Sequence, residues 1–166
     1  MSIYQRNYFG GIDRMTLIKH ITFRDILRAD SIFAAQKKMY YRGLTEIKLI
    51  KNIKHVIGRT NWDKCHTWAI NPNVHYYFCN ETLRSNFYNF TWDIKNCEPY
   101  TIFLSQAYYP LKGFHQLLKA LPIILSYYPK TKVYIAGNDF FTINKWRLNG
   151  YGKLINSIIQ KYHLDN

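Results

Sequence analysis

The chain has 166 residues, 48% of them hydrophobic and 17% aromatic, with a formal net charge of +13. That apolar content excludes an intrinsically disordered chain and is enough for one domain or parts of two. The charge points to an anionic partner: nucleic acid, a membrane surface or a phosphorylated substrate. No stretch approaches the roughly 18 consecutive apolar residues of a membrane span. The opening "MSIYQRNYFGGIDR" lacks the apolar core of a secretory signal. Cys65, Cys79 and Cys97 are odd in number and widely spaced, fitting neither a zinc pattern nor a disulfide framework. Reduced thiols in a cytoplasmic protein are the expectation.

Residues 1–53 read as turns and helices. Thr22, three residues before Asp25, is a helix-start signal. Across this stretch Ile26, Phe33, Ala34 and Met39 or Tyr40 stand at helical spacing, and Asp30 and Ser31 are candidate caps of a second helix expected to end near Gly43. "LTEIKLIKNI" continues with Leu44, Ile47 and Ile50 on one face.

Two strand–helix–strand units follow. The first is "KHVIGRT", "NWDKCHTWAINP" and "NVHYYFCN", with Asn61 as the expected N-cap and Pro72 closing the helix. The second is "YTIFLSQ", "PLKGFHQLLKALPIILSYYP" and "KTKVYIAGND". Phe114, Leu117, Leu118, Leu121, Leu125 and Tyr128 follow the 3.6-residue period, with Pro122 expected to bend or divide the helix. The short apolar strands suit parallel pairing with both faces buried, and the two units predict an α/β fold with right-handed crossovers. Residues 80–99 are expected to form a packed connection, and a final helix over about 149–163 is expected to carry Tyr151, Leu154, Ile155, Ile158, Ile159 and Tyr162 on a face that needs a sheet to cover.

Candidate chemistry gathers at strand ends, where open α/β sheets place ligands. Ser105 and Gln106 end one strand, and Lys112 and Gly113 open the next helix, whose N-terminus attracts anions. Gly137 and Asn138 end the following strand, where a strand-ending turn is the plain alternative. Gly58, Arg59 and Thr60 end the earlier one, Arg59 being suited to a phosphate or carboxylate, or to pairing with Asp63. Glu81, Asp93 and Glu98 are the carboxylates between the units, and Glu81 is as suited to capping a helix as to chemistry. His66 and His115 have no partners at metal-ligand spacing and read as structural, so no metal site is expected. There is no nucleophile elbow, Gly-rich dinucleotide fingerprint or P-loop.

The segment "IFLSQAYYPLKGFHQLLKALPIILSYYPKTKVYIAGND" resembles the opening βαβ unit of the donor domain in family 4 glycosyltransferases, the group 1 enzymes with the GT-B fold. Lys112, Gly113, Leu117, Leu118, Ala120, Pro129 and Gly137 occur in that family's order. "HVIGRTNWDKCHTWAINPNVHYYFCNETLR" is similar to the end of the acceptor domain in a bacterial branch of the family. The likeness covers roughly residues 40–160. It implies two Rossmann-like units of an incomplete GT-B fold. Residues 1–90 would be the end of the acceptor-side domain, helical over 1–53 and βαβ over 54–80, and 91–166 the start of the nucleotide-sugar donor domain.

The resemblance further implies sugar transfer with retention, from a nucleotide-sugar to a glycan or lipid-linked acceptor, in surface-polysaccharide synthesis. Neither a cofactor nor a metal is implied. Lys112 corresponds to the lysine on the donor diphosphate, Gly137 to the glycine after the second donor-domain strand, and Arg59 and Asn80 to the acceptor edge of the cleft. Two departures stand out. Ser105–Gln106 replaces the family's Gly-Arg, leaving Arg59 as the candidate second cation, and the family's Glu-x7-Glu segment does not occur in these residues. The expectation is a central portion of an enzyme with little turnover by itself.

The basic residues Arg14, Lys19, Arg24, Arg28, Lys37, Lys38 and Arg42 would suit peripheral association with an anionic membrane face. A basic module binding nucleic acid without catalysis is the alternative, with no recognition motif to support it.

Overall fold

A computed structural model describes residues 9–137 and 144–164. The protein is mixed α/β with two separate two-stranded parallel sheets. Its helices are α1 (Arg14–Lys19), α2 (Phe23–Arg28), α3 (Ile32–Asn52), α4 (Asn61–Ile70), α5 (Phe114–Tyr127) and α6 (Gly150–Tyr162). The strands are β1 (His55–Gly58), β2 (His75–Phe78), β3 (Thr101–Ser105) and β4 (Lys132–Ala136). The chain divides into two compact units, one of residues 1–5 and 39–97, the other of 6–38 and 98–166. Sequence order suggested that the N-terminal helices belong with the first βαβ unit. Residues 6–38 instead cluster with the second.

The first unit is β1–α4–β2 with the C-terminal part of α3. β1 and β2 pair in parallel, His55 opposite His75 and Gly58 opposite Phe78. Helix α4 is capped by Thr60, one residue before the expected Asn61: the Thr60 hydroxyl accepts from the Asp63 amide at 3.0 Å. Asn71 closes α4 and donates from Nδ2 to the carbonyls of Ile50 (2.9 Å) and Ile53 (3.2 Å), tying it to the end of α3. Helix α3 does not end at Gly43, which is buried within it. Leu44, Ile47 and Ile50 prolong the helical repeat, and one interior glycine costs only about 1 kcal/mol. Burial in this unit is sparse: Val74 and Thr67 are covered, while Ile57, Tyr77 and Phe78 are 71%, 51% and 53% exposed.

The second unit holds the main core. β3 and β4 pair in parallel from Thr101–Lys132 to Ser105–Ala136. Leu104 and Ile135 turn inward onto a cluster that includes Phe114, Leu118, Tyr151, Leu154, Ile155, Ile158 and Ile159. Their neighbours Phe103 and Tyr134, opposite one another in register, are exposed. The strands are therefore covered on one face, not on both as expected. Helix α5 is continuous through Pro122 and is not divided in two. The apolar stripe of α6 is buried as its spacing indicates: α6 packs against α5 and α1, and Leu104 and Ile135 of the sheet lie on the same cluster.

The N-terminal segment is fastened to this core by polar groups. Thr22 and Asp25 form a reciprocal capping box on α2. Asp25 is only 2% exposed, and its Oδ2 also accepts from the Gly150 amide at 2.8 Å. A Cβ at Gly150 would lie 2.9 Å from both that oxygen and the His20 carbonyl oxygen, so glycine is required by the close approach. A carboxylate thus occupies the positive end of α6 from within the unit.

Candidate functional site

In the second unit, parallel pairing aligns the carboxyl ends of β3 and β4, so Ser105 and Ala136 are register partners. Gln106 follows with φ 54° and Gly137 with φ 134°. A Cβ on Gly137 would be 3.8 Å from the Gln106 Cα and the Ala107 amide nitrogen, so the two strand ends adjoin. Ser105, Gln106 and Gly137 are therefore brought together. Asn138 lies outside the described residues.

Pro110–Lys112 forms a 3₁₀ turn, and Gly113 follows in the left-handed region at φ 79° before α5 begins. Nothing would crowd a Cβ at Gly113, so this glycine serves the turn's φ and is not demanded by close packing. The Lys112 amide donates to the Tyr109 carbonyl and the Gly113 amide to the Pro110 carbonyl, each at 3.0 Å. These two backbone donors are spent within the turn. What the turn presents outward is the Lys112 side chain, exposed and without an ion-pair partner among the described residues.

His115 lies beside this turn and is fully buried. Its Nε2–H donates to the Gly10 carbonyl at 2.8 Å, and its Nδ1 accepts from the Tyr151 hydroxyl at 3.1 Å. Burial lowers the pKa of the ring and so favours its neutral form, with the Gly10 bond opposing and Lys119 adding to the effect. Burial likewise pushes the Tyr151 phenol up, keeping it a donor. His115 is a core histidine, as its lack of ligand-spaced partners suggested. Among the described residues no three His, Cys, Asp or Glu side chains gather as a metal site would require.

In the first unit, Gly58, Arg59, Thr60 and Asn80 do share the carboxyl end of β1 and β2. Each of the first three has a local task. A Cβ on Gly58 would overlap the Tyr76 side chain, whose hydroxyl donates to the Thr60 carbonyl at 3.2 Å. Thr60 is engaged in capping α4. Arg59 pairs with Glu81 at 2.7 Å, not with Asp63. Glu81 accordingly does not cap the following 3₁₀ turn, Ser85–Asn89, which has no side-chain cap. The other connecting carboxylates also have partners. Asp93 accepts from the Lys95 amide at 2.9 Å, and Glu98 meets Lys132 at 2.6 Å and the Tyr134 hydroxyl at 3.0 Å. The Lys132 hydrogen bond is the chief reason that the Glu98 carboxyl sits below its usual range.

A cavity of about 250 Å³ lined by Tyr100, Tyr127, Tyr128, Pro129 and Lys130 lies at the opposite end of the β3–β4 sheet, away from Lys112. Sequence reading did not single out those tyrosines as a group, because Tyr100 meets Tyr128 only once the α5–β4 turn brings them within 5.8 Å. Comparison of the chain with protein-family models, curated proteins and solved structures finds no match.

Proposed function

We propose that this chain belongs to a glycosyltransferase and contributes the donor-diphosphate loop to sugar transfer from a nucleotide-sugar to a glycan or lipid-linked acceptor. The observation carrying this reading is the convergence at one end of the β3–β4 sheet. Gln106 and Gly137 adjoin there, and the loop after β3 leads to Lys112, just before α5 and without an ion-pair partner among the described residues. Transfer leaves negative charge on the departing nucleoside diphosphate. An ammonium beside a helix N-terminus lowers the barrier by stabilising that charge where it develops. Retention at the anomeric carbon and a role in surface-polysaccharide synthesis are parts of the same proposal and rest on the sequence likeness.

The test is titration calorimetry of the 166-residue chain with UDP, GDP and ADP. One of these should bind at a single site, and Lys112→Ala should weaken it at least tenfold, the loss of about one charge-assisted hydrogen bond. No binding by any of the three, or binding indifferent to Lys112→Ala, sinks the reading.

One observation favours the alternative of single-stranded nucleic acid. The connection over 80–99, expected to be packed, is exposed throughout; in it Phe87, Tyr88, Phe90 and Trp92 are 61–81% exposed beside Arg84 and Lys95, which is the composition of a base-stacking strip. Salt-sensitive binding of an oligonucleotide that is lost on Phe90→Ala and Trp92→Ala, with no nucleoside diphosphate bound, would establish it instead.

A further inference from the structure

Helix α2 is turned inside out. The residue it buries is the carboxylate Asp25, whereas Phe23, Ile26 and Leu27 are 73%, 68% and 70% exposed. On a 3.6-residue repeat, Phe23 and Leu27 stand together on the side opposite Asp25, with Arg24 and Arg28 one step round. Phe23, Leu27 and Arg28 line a cavity of about 430 Å³ with Trp146 and Lys153. Trp146 is 88% exposed.

The described acids of this region each have a partner within the chain. Asp13 caps α1 through the Thr16 amide, Asp25 is held by Thr22 and Gly150, and Asp30 pairs with Arg24 at 3.0 Å. Arg28 and Lys153 have no ion-pair partner among the described residues. Among the described residues the outward chemistry is thus mainly apolar and cationic, with Asp25 buried and Asp13 and Asp30 engaged by Thr16 and Arg24. Just upstream, α1 adds Arg14 and Lys19 and the exposed Met15 (64%) and Ile18 (52%).

We propose that this face docks the protein on an anionic lipid bilayer. Aliphatic and aromatic side chains gain by entering the acyl boundary while Lys and Arg remain among the phosphates, and Trp prefers that interface. The charge complementarity selects anionic over neutral lipid. The aliphatic Ile26 and Leu27 select lipid over nucleic acid, since neither stacks on bases. Docking stands apart from the glycosyltransferase reading and does not depend on Lys112.

Vesicle flotation tests it, with phosphatidylcholine alone and with about one-third phosphatidylglycerol added. The chain should float with the anionic vesicles only, and less so as salt rises. Replacing Phe23 and Leu27 together by Ser should cut partitioning at least about tenfold. Arg28→Gln and Lys153→Gln should each cut it about fivefold. All four positions are at the surface cavity, and near-UV circular dichroism confirms that the variants keep the core. Brominated acyl chains should quench tryptophan fluorescence in the parent and do so much less in Trp146→Phe. Lys112→Ala should float as the parent does, which separates this result from nucleotide binding. Absence from anionic vesicles overturns the proposal, as does flotation indifferent to these substitutions or the same substitutions abolishing oligonucleotide binding instead.

Discussion

The backbone N–H of Gly150 donates to the Asp25 carboxylate across 2.8 Å, joining residues 125 apart in the chain. The same Oδ2 accepts from the Thr22 amide at 3.0 Å, while Oδ1 makes no hydrogen bond among the described residues and lies 3.5 Å from the Arg24 guanidinium. One buried carboxylate therefore starts two helices. Asp25→Ala leaves both amides without their acceptor and should lower the unfolding free energy by about 2–4 kcal/mol in urea denaturation. Gly150→Ala, forcing a Cβ against the same oxygen and the His20 carbonyl, should cost about 1–3 kcal/mol. A loss below the error of the denaturation curves for both would mean that the pair contributes nothing.

His115 makes stability depend on pH. Its folded pKa lies below the ordinary 6.5 because burial disfavours the charged ring. The unfolded chain therefore takes up a proton first as pH falls. The stabilisation is complete above pH 6.5 and is lost as the pH drops from there through the folded value. Thermal midpoints measured across this range should fall with acid in the parent, and the slope should flatten in His115→Gln. Parallel slopes for the two proteins would remove His115 as the cause.

Arg59 and Glu81 are close, at 2.7 Å, yet their side chains are 56% and 74% exposed. Solvent screening leaves such pairs worth about 0–1 kcal/mol. Arg59→Ala and Glu81→Ala should each shift stability by no more than about 0.5 kcal/mol, and salt should erase what shift there is. A larger effect in denaturant titration would show that the pair organises the β1–α4 turn.

Cys65, Cys79 and Cys97 are free and exposed. All three should react with a thiol-disulfide reagent in the native protein, without denaturant. A thiol that reacts only after unfolding would contradict the exposure found for it.

Much of the secondary structure was legible because it rests on short-range energies. The two strand–helix–strand units, the apolar stripe of α6 and the Thr22–Asp25 start of α2 each follow from spacing and capping within a few residues. The one-residue error at Thr60 arose because Asn61 and Thr60 are both good N-caps, and only the Asp63 amide decides between them. Gly43 misled because a single residue's propensity is outweighed by the stripe that continues past it. The candidate site was half legible. Turn residues mark strand ends, so the placement of Ser105, Gln106 and Gly137 at one end of the sheet, and of Lys112 and Gly113 in the turn before α5, was legible. That Gly58 makes room for Tyr76, and that Arg59 is engaged by Glu81, needed side chains brought together from β2 and the loop after it.

The amino-acid order alone determined the two strand–helix–strand units and the helix α6, that the sheets are parallel, and that the net charge is basic. Tertiary structure alone decided that residues 6–38 join 98–166, and that α2 buries its acid and exposes its apolar residues. The physical reason lies in range. Periodicity and capping act between neighbours in sequence, whereas the reversal of α2 is set by a backbone N–H at Gly150, and no pattern within six helical residues can announce a partner 125 positions away.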